Sequence, residues 1–442
     1  MSASITRKML HEAVLSSCNC CKVHRTYLHT STSGHSISQQ TLQFDDHHTV
    51  FRHKNTWELL RALLVLRACG SNFLVDNSLK LLRQGQRVLG NRALGWFLHP
   101  TVYSQFVAGY EGYELAVTAE ALRKLNVRLM VAPTLEEDVG ESSSSQEKYD
   151  KNLEEMFRLA EMTHEHGGKQ PCLQTKITAM LSADTLMVEK IAAAMARGSA
   201  IETLPSINKS DQENINLAVR RLAQLGDIAT KKQLRLLVDA EYSYVNPGCS
   251  LLTLAMMTVF NQQKPVRAMQ TLTHELDILE KLGACFAVKL VRGAYLEKER
   301  KMDPTSTCES HSKTGENYQR VLERGLIHAL NTGPKRCLLI MATHNEESVR
   351  QSILRMQALG LDPKAGHVVF AQIYGMAEQI SMPLAQAGYI VYKSVPMGSL
   401  DQVLPYLARR AAENRSVLQG ARKERILLQR ELFWRFRSLL RN

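Results

Sequence analysis

The 442-residue chain has no run of 18 uncharged apolar residues, so nothing in it reads as a membrane-crossing helix. The nearest approach, LLRALLVLRACGSNFLV at 59–75, is broken by Arg61, Arg67 and the pair Gly70 and Ser71, and reads as a packing helix. Zinc-finger spacing, RNP-type aromatic motifs and long Lys/Arg blocks are also missing. The formal net charge of +12 therefore lacks the companions of a nucleic-acid binder, and an acidic ligand or an anionic membrane surface fits it better. Of the 9 cysteines, only Cys18, Cys20 and Cys21 cluster, without a second ligand pair at metal spacing, so no metal is expected. No glycine fingerprint opens a helix after the first apolar run, which disfavours a doubly wound dinucleotide fold.

Acid is scarce at the N-terminus. Glu12 stands alone against Arg7, Lys8, Lys22 and Arg25 in a stretch rich in Ser, Thr and His, the pattern of a mitochondrial transit peptide over residues 1–40. Residues 41–125 are expected to form a helical N-terminal region. The polar EEDVGESSSSQEK at 136–148 is expected to be a loop.

From residue 126 to 442 the pattern becomes short apolar runs separated by helix-length amphipathic segments. The runs are 127–133, 172–180, 234–241, 286–295, 337–345, 367–375 and 389–396. Strand alternating with helix predicts a parallel sheet with crossovers. Several runs end in polar residues: Asp239 and Glu241, Arg292 and Tyr295, His344 and Asn345, and Ser394. Polar groups at the C-terminal strand ends are how a (β/α)8 barrel builds an active site. The expected fold is thus α/β, a distorted (β/α)8 TIM-like barrel. One strand is short of eight. Between Glu241 and Phe286 two helical patterns, NPGCSLLTLAMMTVFNQQ and RAMQTLTHELDILEKLG, follow each other, and the fourth strand is missing from the pattern.

Three motifs could carry chemistry. KLVRGAYLEKER at 289–300 puts Lys289 and Arg292 around a strand end, with Gly293 allowing close backbone approach by a ligand. In MATHNEES at 341–348, His344 could be a base, a ligand or a residue that opens a helix. The helix after YKSVPMGS carries adjacent Arg409 and Arg410 beside Leu404, Leu407 and Ala411, either a solvated face or a grip on an anion.

Taken with Lys176 in QTKITAM and VDAE at 238–241, these motifs resemble the proline dehydrogenase family, FAD-dependent enzymes on a distorted (β/α)8 barrel. Ser394, where proline-specific members carry Tyr, and the closing ENRSVLQGAR look like the hydroxyproline dehydrogenase branch. The resemblance implies that Arg409, Arg410 and Lys176 hold an imino-acid carboxylate, with Asp239, Tyr295, Ile373 and Ser394 lining the substrate pocket. It implies that Lys289, Arg292, Gly293, Ala294, Thr343, His344 and Asn345 lie along the FAD, with Glu413 paired locally to a cation. It further implies hydride transfer to the flavin, a quinone acceptor at the matrix side of the inner mitochondrial membrane, and peripheral membrane contact. The basic segment at 421–442 could serve that contact or pack on the barrel. Plain proline dehydrogenase is the alternative within the family. A catalytically impaired or non-enzymatic barrel is the other, because the strand whose Gln contacts the flavin in relatives is the one missing here.

Overall fold

The computed structural model describes residues 42–135, 145–186, 209–261, 285–302, 304, 307–413 and 422–440. Seven apolar runs become strands: β1 (Val127–Pro133), β2 (Cys172–Thr175), β3 (Arg235–Val238), β4 (Phe286–Val291), β5 (Cys337–Ala342), β6 (Val368–Ile373) and β7 (Val391–Met397). All pairings are parallel, in the order β3-β2-β1-β7-β6-β5-β4. The strands are buried almost throughout, which is why they read as near-continuous apolar runs. First and last strands join along their whole length, Val127 level with Val391 and Met130 level with Ser394. The sheet is a nearly closed barrel with β3 and β4 as its two ends.

The longer helices are α1 (Thr56–Cys69), α2 (Ser78–Leu98), α3 (Gly112–Lys124), α4 (Gln146–His166), α5 (Lys209–Lys231), α6 (Asn246–Phe260), α7 (Leu296–Met302), α8 (His311–Thr332), α9 (Glu346–Ala358), α10 (Glu378–Gln386), α11 (Leu400–Glu413) and α12 (Arg422–Leu439). Helix α4 shows how the sequence dictates packing. Ser145 caps it by accepting from the Lys148 amide, and Tyr149, Leu153, Met156, Ala160 and Thr163 recur at helical spacing as its buried stripe. That stripe lies on β1 and β2, while α8 covers β4 and β5 and α10 covers β6 and β7. The polar loop expected at 136–148 is cut short, because α4 already begins at Gln146; residues 136–144 lie outside the described residues.

The packing helix expected at 59–75 is α1, which ends at Cys69 with Gly70 as its cap and buries Leu59, Ala62, Val65 and Leu66. These pack with Leu427 and Leu428 of α12, so the described part of the basic C-terminal segment is in large part a packing helix. The transit peptide expected at 1–40 lies outside the described residues. So does the second helical pattern at 267–283, and with it most of the interval in which a fourth strand is expected to be missing. Among the described residues no strand lies between β3 and β4.

Candidate active site

Four polar side chains from β2, β4, β7 and the end of β3 form a chain across the mouth of the barrel. Lys289 of β4 is ion-paired with Asp239, which directly follows β3 and continues the β2–β3 ladder through its amide to Thr175 O at 2.8 Å. Lys289 Nζ also donates to Gln174 Oε1 at 2.9 Å, and Gln174 Nε2 donates to Ser394 Oγ at 2.7 Å. Lys289, expected beside a cofactor, and Asp239 and Ser394, expected beside a substrate, are therefore parts of one network. Gln174 is the link that motif reading passed over. Strand alternation could have found it, since Gln174 and Lys176 lie two residues apart in extended chain and share a face.

The arginine helix reaches the same end of the barrel. The Arg410 guanidinium lies 5.4 Å from the Tyr406 ring centre and 6.0 Å from that of Tyr295. Tyr295, at φ 60° in the turn after Gly293, donates its hydroxyl to Ala240 O at 3.2 Å and packs 4.6 Å from Tyr242. Tyr295 thus joins the Arg410 guanidinium to the VDAE segment at the end of β3. Arg409 is half-buried on the same helix, α11. Glu413 ends that helix, and its side chain lies outside the described residues. Lys176 sits in the turn after β2, where it acts electrostatically on the buried Glu241. Burial pushes the Glu241 carboxyl upward, against the pull of Lys176 and two hydrogen bonds from Thr178, at 3.1 Å from its amide and 2.6 Å from its hydroxyl.

The other two motifs meet through Ser348. Arg292 Nη1 donates to Ser348 Oγ at 2.7 Å and Nη2 donates to His311 O at 3.2 Å, so Arg292 points toward α8 and α9 while Lys289 points toward Gln174. The two cations of KLVRGAY are not brought together, because residues three apart in a strand face opposite sides. Asn345 is the residue that opens α9, its Oδ1 accepting from the Ser348 amide at 2.8 Å, and Thr343 Oγ1 accepts from the Asn345 amide at 3.1 Å. His344 is instead half-buried and accepts the Ile373 amide on Nε2 at 3.0 Å. Burial first, and the Lys393 ammonium second, lower its pKa to about 3. With so low a pKa, and with Nε2 already engaged, the imidazole is a weak proton acceptor, which argues against the role of base. Gly293 has φ 71°, and a Cβ there would meet only the Thr314 methyl at 3.9 Å. Together with exposed Ala294, this leaves a backbone stretch open to close approach, which fits the phosphate-bearing half of a dinucleotide cofactor.

Behind Ser394 lies a charge cluster that the motifs did not reveal. Lys393 is fully buried and donates to Met376 O and, at 3.4 Å, to Ile373 O, with Glu378 Oε1 at 3.6 Å. Burial pushes the Lys393 pKa down against the pull of Glu378 and Glu424. Glu424 of α12 accepts from the Ala377 and Glu378 amides at 2.9 and 3.0 Å, so the C-terminal helix caps α10. The loop after Ile373 is pinned from both sides. Gly375 in that loop, at φ 77°, stands where a Cβ would lie 2.0 Å from Gln105 O.

Side chains also span the interval between β3 and β4. Besides Lys289–Asp239 and Tyr295–Ala240, Glu299 accepts from the amide of Ser243 at 2.7 Å and from its hydroxyl. Asn261 Nδ2 donates to Cys285 O at 3.1 Å. Each such bond contributes about 0.5–1.5 kcal/mol, more where a charge is involved.

Fold and site together define a β/α-barrel with a network of charged and polar side chains across its mouth. Residues 115–423 match the family described as proline dehydrogenase. The chain is 40% identical over 436 residues to hydroxyproline dehydrogenase of Xenopus laevis, covering 91% of this chain and 92% of that protein. It is 39% identical to the Homo sapiens protein of the same name, covering 90% of this chain and 94% of that one. Proline dehydrogenase 1, mitochondrial, of Homo sapiens is 37% identical over 279 residues, 59% of this chain and 46% of that protein. In fold it is similar to a proline utilization A (PutA) structure from Bdellovibrio bacteriovorus, with TM-score 0.58, 17% identity and 94% of this chain covered; the match spans 41% of that longer chain. The chain belongs to the proline dehydrogenase family, oxidoreductases that act on CH–NH donors.

Proposed function

We propose that the chain oxidises hydroxyproline, and proline more slowly, to the corresponding 1-pyrroline-5-carboxylate as a mitochondrial FAD enzyme. The observation that carries this reading is the Ser394 hydroxyl, held by Gln174 among the polar groups at the barrel mouth. A site that hydrogen-bonds a substrate hydroxyl favours the hydroxylated ring over its plain analogue. Arg409, Arg410 and Lys176 hold the carboxylate by charge-assisted hydrogen bonds of about 1.5–3 kcal/mol each. Tyr295 and Ile373 bound the ring, and Asp239 stands on the same side, paired with Lys289. When bound, FAD supplies the hydride acceptor for the ring carbon next to nitrogen. Gly293, Ala294, Arg292 and the Thr343–Asn345 turn are the residues that would hold it, with His344 bracing that turn against Ile373.

Electrons go on to a quinone at the matrix side of the inner mitochondrial membrane. Membrane contact is proposed to be peripheral; among the described residues no helix is long and apolar enough to cross a membrane. Helix α2 supports such contact, with Lys80, Arg83, Arg87 and Arg92, no acid, and exposed Trp96 and Phe97. The end of α12 adds exposed Phe433, Phe436 and Leu439.

One observation favours a second reading, a barrel that turns over poorly: among the described residues β3 and β4 are bridged by side chains rather than by a strand. The visible absorption of the purified protein, before and after anaerobic addition of hydroxyproline, decides between them. The first reading expects a flavin band that hydroxyproline bleaches faster than proline does, and Ser394→Tyr should reverse that order. A colourless protein would overturn the flavoenzyme, and a band that hydroxyproline leaves intact would overturn the substrate.

A further inference from the structure

We infer that Gln174 is a specificity-determining positioning residue: by donating to the Ser394 hydroxyl it fixes that group in place and keeps its proton available to the ring hydroxyl of the substrate. The inference deepens the proposed hydroxyproline reading and rests on it.

The direction of every bond in the chain follows from what each group can do. An ammonium donates and never accepts, so the atom of Gln174 that lies 2.9 Å from Lys289 Nζ is the amide oxygen. The Asp239 carboxylate, which only accepts, holds that ammonium from the other side. With Oε1 turned to Lys289, the amide nitrogen is the end that meets Ser394 Oγ at 2.7 Å, and an amide nitrogen only donates. Ser394 is therefore the acceptor in this bond, and its own proton lies outside it. Gln174 is in no position to turn over: it is 3% exposed and sits in β2 between two parallel neighbours, level with Leu237 of β3.

A serine without such a partner rotates among three staggered positions and can present either a proton or a lone pair. Here the carboxylate of Asp239 acts through two intermediaries to occupy one lone pair of Ser394 and keep its proton out of the bond to Gln174, available to the substrate. The same chain ties the preference for a ring hydroxyl to the bridge across the sheet ends, because the ammonium that orients Gln174 is the one that joins β4 to Asp239.

The test compares Gln174→Met, which cannot hydrogen-bond to either neighbour, with Gln174→Glu, which keeps the bond to Lys289 but accepts from Ser394 and so takes up its proton. The readout is the ratio of kcat/KM for hydroxyproline to that for proline in the flavin-loaded enzyme. A second readout is the calorimetric affinity ratio of two rings that cannot be oxidised, 3-hydroxycyclopentanecarboxylate and cyclopentanecarboxylate. Both variants should lower both ratios by about tenfold, the effect of one hydrogen bond to a polar group, whatever happens to absolute rates. In a Ser394→Ala background the same changes should leave the ratios where they are. Ratios that stay at the wild-type value in Gln174→Glu, or that still fall without Ser394, overturn the inference and leave the hydroxyproline reading standing. A wild-type protein that shows no preference for the hydroxylated ring in either readout overturns both.

Discussion

Replacing His344 by glutamine separates one imidazole's contribution to acid stability from all others. In the folded chain His344 titrates at about 3, against 6.5 for a free histidine, because burial and then Lys393 oppose its charge. Between those values the unfolded chain binds a proton that the folded chain does not, so stability rises with pH and is lost on acidification. Each pH unit below 6.5 removes about 1.4 kcal/mol, which makes about 2 kcal/mol at pH 5. Glutamine can still accept the Ile373 amide through its carbonyl but cannot be protonated. Urea unfolding of wild type and His344→Gln at pH 4.5–8 is the assay. The expected outcome is a small constant loss near pH 8, together with a slope shallower than wild type by about one proton below pH 6. His53 and His367 are also pushed down, chiefly by burial, and keep their share of the slope in both proteins. Equal slopes in the two proteins would refute the argument, since they would mean that His344 titrates normally in the folded state.

Two further outcomes follow from the charged groups around the barrel. Lys393→Met leaves Glu378 buried with less cationic compensation and should cost about 3–5 kcal/mol in urea unfolding. Adding Glu378→Gln should recover part of that, and additive losses would refute the pairing. Asp239→Ala removes the carboxylate that holds Lys289 across the sheet ends and should cost about 1–3 kcal/mol. Amide exchange should then speed up in β3 and β4 before β1 and β7, and uniform acceleration would refute the view that this pair joins the ends.

All seven apolar runs are strands in the barrel, because strands covered on both faces must be apolar almost throughout and a run of such residues is visible in one dimension. The boundaries were less legible. The run at 172–180 is a strand only to Thr175 and then turns through Ile177–Ala179. Of the residues expected along a cofactor, Lys289 and Arg292 face opposite ways, and His344 is a half-buried brace while its neighbour Asn345 opens the helix. A motif names residue types at a strand end but not the side on which each one falls. Gln174 and Glu424 were passed over for a related reason. Neither belongs to a striking local pattern, and their partners lie 220 and 47 residues away in the chain, or nearly so.

Local chemistry in the sequence was sufficient for the alternation of strand and helix, the gathering of polar residues at strand ends, and the family to which those motifs belong. Periodicity, turn residues and charge act over a few positions, so a single chain displays them openly. The bond from Gln174 to Ser394, the lowered pKa of His344 and the joining of β3 to β4 by Lys289 and Asp239 were decided only when distant strands came together. Each of these depends on burial and on a partner far away in sequence, and neither exists until the barrel has formed.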